Sequence, residues 1–281
     1  MNFLSNSSLD VNEDPEECWY VAIGSMMNPI SLAQRELSPL ESYPVEIINY
    51  SIQFFGKGGM AEAVYENGKS FHGVLHKMTK KDMIKLDSME VGYSRSPCQV
   101  RLYDNSLRDA TVYTLANSSH REGINNPPSE RYMELLITGS KHFGVSISHI
   151  EYLQSLPMVP RKKPSEYRSL SCPVDLPVWS ADMVEAGDGL EGRPLYFSIN
   201  GKVCVLHATS KKDFIMYDIF LMFAGKPVEI GWSKGLYEPK YGTHDKLEDF
   251  TREHCAFLED MLMDHESKVS VVALINQKYA D

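Results

Sequence analysis

From Trp19 to Leu115 the chain is mostly short apolar segments at strand spacing, with only two short helical patterns among them. Segments of this kind bury their apolar faces by pairing side by side, so a sheet must organise this part of the molecule. Trp19 to Ile23 reads as a buried strand that ends in a turn at Gly24-Ser25. Val45 to Phe55 alternates as a strand, and Gly56, Gly58 and Gly59 then bend the chain. Ala61 to Tyr65 and Phe71 to Met78 flank Asn67-Gly68, which predicts a hairpin between them. Pro97 to Tyr103 and Asp109 to Leu115 form a second pair across Asp104-Asn105. The helical patterns are Ser31 to Leu37, with Ser31 as its cap, and Lys80 to Ser88, capped by Thr79. Helices over Ser129 to Phe143 and Ser148 to Ser155 close the region.

The remainder reads as a separate unit. Residues 1–17 are rich in Ser, Asn, Asp and Glu and predict a flexible acidic tail. Residues 18–157 are the first domain. Residues 158–180 are a linker: Pro157 to Pro177 holds five prolines and the basic run Arg161-Lys162-Lys163, whose expected role is solvation. Residues 181–281 predict a smaller α+β domain. Its clearest feature is Asn200-Gly201 between two alternating runs, since a tight hairpin needs positive φ at both turn positions. Lys211 to Phe223 and a Thr243-capped segment from His244 to Met263 predict helices, and Lys268 to Ile275 a final strand.

With 28 basic and 38 acidic residues the net charge is -10, which disfavours nucleic-acid and anionic-membrane partners. The longest apolar stretch, Phe214 to Ala224, is too short to span a bilayer. Five scattered cysteines without a C-x-x-C pair argue against a zinc site or a disulfide framework. A cytoplasmic protein is the expectation.

Two features can carry chemistry. A strand running into Gly24-Ser25 exposes backbone N–H groups that suit a carboxylate or an oxyanion, although most such turns are only turns. Glu90 follows a helix end, where a carboxylate is usually solvated; its neighbours Leu86, Met89, Val91 and Tyr93 favour burial instead, which would raise its pKa. His72 and His76 are four apart on one strand, where a polar sheet face is the simpler reading than a metal site. His254 lies near an apolar helix face, as packing histidines do.

The motifs together resemble the γ-glutamylcyclotransferase-like family. Tyr20-Val21-Ala22-Ile23-Gly24-Ser25-Met26-Met27 is similar to its Y-x-A-Y-G-S-N-L/M strand and loop. Gly58-Gly59-Met60-Ala61 resembles its G-G-x-A segment, and Phe71 to Met78 its V-x-G-V-x-x-x-M strand. Leu86-Asp87-Ser88-Met89-Glu90, with Gly92-Tyr93, resembles its L-D-x-x-E-G motif and following tyrosine. Pro127 to Tyr132 resembles P-P-S-x-x-Y, and Gly139 and Gly144-Val145 sit where that family has G-A…G-L. The resemblance covers about 19–156 and does not reach the C-terminal part.

It implies an α+β fold, a mixed β-barrel with flanking helices, and cyclisation of a γ-glutamyl compound to 5-oxoproline, with no need of a metal or organic cofactor. Glu90 takes the catalytic acid/base position. Tyr20, Ile23, Gly24, Ser25, Met26, Met27 and Tyr93 take the substrate-binding positions. Two residues depart from the pattern: Ile23 replaces the loop tyrosine and Met26 the loop asparagine, each exchanging a hydrogen-bonding side chain for an apolar one. The competing reading is therefore a binding module that has lost or changed its activity. The C-terminal domain is free to cover the site, to build a homodimer interface or to bind something separate.

Overall fold

The structure is a computed structural model that describes residues 16–56, 58–90, 92–116, 126–210, 212–214 and 216–280. Most of the expected acidic tail, residues 1–15, lies outside them. Glu17 already pairs with Thr79, and the Lys80 N–H donates to the Glu16 carbonyl.

Five strands close into a barrel: β1 (Glu17–Ala22), β2 (Glu41–Phe55), β3 (Met60–Thr79), β4 (Tyr93–Leu102) and β5 (Leu107–Leu115), in the order β1-β3-β2-β4-β5. Parallel pairing of β1 with β5 completes the circle and leaves no open edge. Four helices flank it: α1 (Pro29–Gln34), α2 (Lys80–Met89), α3 (Glu130–His142) and α4 (Ile147–Ser155). Strand β1 is apolar on both faces because both are covered. Val21 joins the barrel core with Ile47, Leu75, Val100 and Val112, into which α3 adds Met133 and Leu136. Tyr20 and Ala22 face a second cluster with Met27, Met78, Met83 and Leu86.

The hairpin expected across Asn67-Gly68 does not form. Both segments belong to the single strand β3, and both pair with β2, which is long enough to span them. The register breaks between Ile48 and Tyr50. There Asn49, at a φ of 61°, accepts the Gly68 N–H at 2.9 Å, so the Asn-Gly pair makes a bulge. Helix α1 begins earlier than expected. Asn28 caps it, accepting the Ile30 N–H at 2.9 Å, and Ser31 lies inside the helix.

The second unit is a four-stranded sheet, β6 (Val178–Trp179), β7 (Leu195–Ile199), β8 (Lys202–Leu206) and β9 (Val269–Ile275), in the order β6-β9-β8-β7. Its helices are α5 (Ala181–Glu185), α6 (Tyr217–Leu221), α7 (Glu229–Gly235) and α8 (Arg252–Leu262). Asn200 and Gly201 have φ of 49° and 74°, as the tight hairpin required. Phe197, Phe220, Phe250 and Leu258 fill its core. Thr251, not Thr243, caps α8, which starts later than the apolar pattern suggested. The expected helix from Lys211 is reduced to the five residues of α6, and Lys211 and Ile215 lie outside the described residues.

The basic run is not a solvated segment. Arg161 pairs with Glu134 of α3 and with buried Glu238, at 3.0 Å from the latter, and Lys162 donates to buried Asp260 at 2.7 Å. These pairs lock the connecting segment between the barrel and α8. No helix among the described residues is long and apolar enough to cross a membrane.

Candidate active site

Strand β1 delivers the chain into a 3-10 turn at Ser25–Met27, where the Met27 N–H donates to the Gly24 carbonyl at 2.9 Å. Backbone contacts fix the turn from two sides. From α3, the Leu135 carbonyl accepts from the Asn28 side chain at 3.2 Å, and Gly139 lies so close that a Cβ there would stand 2.4 Å from the Met27 carbonyl oxygen. From the barrel, buried His76 reaches the Met26 carbonyl through Nε2 at 3.2 Å and Ser42 Oγ through Nδ1 at 2.8 Å. A carbonyl oxygen only accepts, so Nε2 carries the hydrogen and Nδ1 accepts from Ser42. Burial pushes the His76 pKa down to about 4, which keeps the ring neutral for this role. His76 thus stands beneath the loop and not on a polar sheet face. Tyr132 completes the frame: its hydroxyl accepts the Ala61 N–H at 3.2 Å and would lie 2.7 Å from a Cβ at position 24.

Glu90 is the C-cap of α2, its N–H bonded to the Leu86 carbonyl at 3.1 Å. The residue is half-buried, and its pKa is raised to about 7. Burial is the main cause and the negative charge of Asp87 adds to it, while Arg35 opposes both. Asp87 lies three positions earlier and therefore on the same side of the helix. Burial acts on Asp87 in the same direction, but bonds from Arg95 (2.9 Å) and Tyr113 (2.5 Å) outweigh it and hold its pKa below the usual value. Two neighbouring carboxyls are thus pushed apart: Asp87 stays ionised and Glu90 holds a proton near neutrality. The negative charge of Glu90 is also felt by Tyr20, Tyr93 and Tyr132; burial and that charge raise all three, Tyr132 to about 12.

A cleft of about 870 Å³ opens between the barrel and the second unit, a size usual for ligand sites. Ser25, Ser31, Arg35 and Tyr132 line it from the barrel; Leu236, Tyr237, Tyr241 and Phe257 line it from the other side. The two sides are tied by Arg35 Nη2 to the Gly235 carbonyl at 3.1 Å and by Arg131 Nη1 to the Tyr237 carbonyl at 2.9 Å.

The residues singled out in the sequence divide into three groups. Gly24 and Ser25 are partly accessible, and Ser25 faces the cleft. Tyr20, Ile23, Met26 and Met27 are buried in the two apolar clusters and do not line the cleft, although the Tyr20 hydroxyl feels the charges of Glu90 and Arg35. Glu90 and half-buried Tyr93 are not among the cleft-lining residues; Glu90 is linked to the cleft through its electrostatic coupling with Arg35 and Tyr132. Sequence reasoning passed over Arg35, His76 and Tyr132 as site residues. Only Tyr132 left a signal, as the last residue of the Pro127 to Tyr132 motif.

The site thus combines a closed five-strand barrel, a glycine turn after its first strand and a carboxyl of raised pKa after α2. Residues 70–154 match the AIG2-like family, and the C-terminal part is unrecognised. Among solved structures, an uncharacterized human protein is 19% identical with a TM-score of 0.46, covering 53% of this chain and 93% of its own. A gamma-glutamyl cyclotransferase is 20% identical with a TM-score of 0.45, covering 51% and 90%. A gamma-glutamyl cyclotransferase from yeast that is specific to glutathione is 12% identical with a TM-score of 0.39, covering 50% and 94%. No curated protein matches the sequence.

Proposed function

We propose that the barrel domain cyclises a γ-glutamyl compound to 5-oxoproline with release of an amine or amino acid, with Glu90 as the acid/base. The observation that carries this reading is the pair of carboxyls on α2, of which Glu90 alone has a pKa near 7. A group titrating there can both take and return a proton at neutral pH. Ionised Glu90 removes a proton from the substrate's α-ammonium. The free amine attacks the γ-carbonyl carbon of the same molecule, and a C–N bond forms. Negative charge moves to the carbonyl oxygen, where N–H groups of the Gly24–Met26 backbone would receive it. The first N–H groups of a helical turn have no partner within it, so they are available for this. Collapse of this intermediate breaks the bond to the leaving nitrogen, which takes the proton from Glu90. The ring nitrogen gives up the surplus proton it carries after attack, through the Glu90 carboxylate so regenerated, to the departing amine, and a lactam and an ammonium result. Holding the substrate folded supplies much of the rate, since amine and carbonyl are already in one molecule.

The test is 5-oxoproline release from γ-glutamyl dipeptides, glutathione and γ-glutamylamines. Wild type should be active, and Glu90→Gln should be folded and inactive; equal turnover by both would remove Glu90 from the mechanism. One observation favours a second reading, a binding module without turnover: Glu90 does not itself line the cleft, and apolar Ile23 and Met26 stand in the loop. Binding of γ-glutamyl compounds with no release from any of them would select it. All five cysteines are free thiols, which supports a reducing compartment such as the cytoplasm.

A further inference from the structure

Arg35 follows α1 and sits at the junction of the two units. Its Nη1 donates to the Ser31 carbonyl at 3.2 Å and its Nη2 to the Gly235 carbonyl at 3.1 Å. Both acceptors are neutral backbone oxygens. Among the described residues no carboxylate lies within ion-pair distance of it, and Glu90 acts on it only at longer range, whereas Arg161 and Arg168 of the same cleft each hold an ion pair. Burying a guanidinium with uncharged partners only is costly, which is why the charge is so often neutralised. One helical turn before it, Ser31 also lines the cleft. Ser31 is fully buried, and its hydroxyl has no hydrogen-bond partner. A cation without an ion pair and a buried hydroxyl without a partner thus belong to two residues that line the same cleft, beside Ser25 of the glycine turn.

We propose that Arg35 and Ser31 form a carboxylate subsite whose ligand is the α-carboxylate of the γ-glutamyl substrate, with the guanidinium held in place by the Gly235 carbonyl of the second unit. This rests on the cyclisation reading and assigns a substrate group to a named place. The planar guanidinium fork matches the two oxygens of a carboxylate, and the serine hydroxyl supplies a further donor. In a γ-glutamyl compound one carbon separates that carboxylate from the α-amine. Anchoring it at Arg35 therefore brings the nucleophile into the field shared by Arg35 and Glu90 and leaves the Gly24–Met26 N–H groups free for the oxyanion. It also gives the unrecognised C-terminal unit a part in the site, because removing Gly235 would release the guanidinium.

The experiment compares binding of γ-glutamylmethylamide with that of 4-aminobutyrylmethylamide, which has the same amine and amide but lacks the α-carboxylate. Calorimetry is carried out on the full chain as wild type, Arg35→Met, Arg35→Lys and Ser31→Ala, each checked for folding by circular dichroism. Wild type should prefer the carboxylate-bearing ligand by at least tenfold. Arg35→Met should abolish the preference, and Arg35→Lys should restore part of it. Ser31→Ala should weaken the carboxylate-bearing ligand several-fold while leaving the urea midpoint unchanged or higher, because no bond is lost in the free protein. Equal binding of the two ligands by wild type, no binding of either, or a preference that survives both Arg35→Met and Ser31→Ala would overturn the assignment. Release of 5-oxoproline is scored separately. If the preference holds without release, the cyclisation reading falls and the subsite stands; if release occurs without the preference, the reverse is true.

Discussion

Glu90→Gln offers a test of the acid/base assignment that needs no substrate. A carboxyl raised from 4.5 to about 7 binds its proton more tightly in the folded chain than in the unfolded one. At about 1.4 kcal/mol for each tenfold difference in proton affinity, ionising Glu90 in the native state costs roughly 3 kcal/mol more than in the unfolded chain. The sign follows from proton counting. Between pH 4.5 and 7 the unfolded chain has released this proton and the native one has not, so stability falls as pH rises. Below 4.5 both states are protonated and there is no penalty; above 7 both are ionised and the penalty is constant. Glutamine keeps the shape and cannot ionise. Glu90→Gln should therefore match wild type near pH 4.5 and exceed it by up to about 3 kcal/mol at pH 8 to 9. The measurement is urea unfolding of both chains across that range, read as their difference. The difference is essential because buried His76 runs the other way: its folded pKa of about 4 lies below the usual 6.5, so its contribution is lost as pH falls through that window. A difference that does not change with pH would mean that Glu90 titrates as an ordinary surface carboxylate, and it would remove the basis for placing the proton there.

Three other perturbations address the frame around the site. Gly24→Ala would bring a methyl 2.7 Å from the Tyr132 hydroxyl; it should cost about 1–3 kcal/mol and at least tenfold in 5-oxoproline release. Adding Tyr132→Phe should return part of both, and a strictly additive double-mutant cycle would show that this contact does not place the loop. Arg161→Ala strands buried Glu238 and should lower stability by about 2–4 kcal/mol by urea midpoint, with Glu238→Gln in the same chain recovering much of it. His76→Phe removes the donor to the Met26 carbonyl; it should reduce turnover and flatten the loss of stability below pH 6.5, where wild type must protonate a buried ring. An unchanged acid limb would show that His76 is not buried as described.

What the sequence revealed and what it concealed follow the range of the interactions. Thr79 was legible as a cap because a cap bonds an N–H three residues on, as Thr79 does here. The turn at Asn200-Gly201 was legible for the same reason. Asn67-Gly68 has the same local chemistry and a different outcome, because β2 extends far enough to hold the chain on both sides of it. Arg161 and Lys162 looked like solvated charge because Glu238 and Asp260, their buried partners, lie 77 and 98 residues away. Arg35 is the extreme case, with Gly235 200 residues distant. Glu90 could be singled out by its apolar neighbours, but the pair that keeps Asp87 ionised beside it, Arg95 and Tyr113, faces each other across β4 and β5 and reaches Asp87 of α2 only in the folded chain.

The two departures from the loop pattern that the sequence resembles, Ile23 and Met26, become intelligible in this frame. In a loop whose shape depended on side-chain hydrogen bonds, replacing two polar groups by isoleucine and methionine would leave it unsupported. Here Ile23 fills the barrel core and Met26 the cluster beneath α2, so each contributes apolar burial of the order of 2 kcal/mol. The loop is held by backbone contacts: the Met26 carbonyl by His76, Met27 by the close approach of Gly139, and Asn28 by Leu135. None of these needs a polar side chain at 23 or 26. Under the proposed cyclisation, the same arrangement would leave the N–H groups of the turn as donors for a developing oxyanion. It leaves recognition of the rest of the substrate to Arg35, Ser31 and the wall supplied by the second unit. The chemistry would then rest on the barrel half alone and recognition would draw on both halves of the chain, with the apolar loop held independently of either.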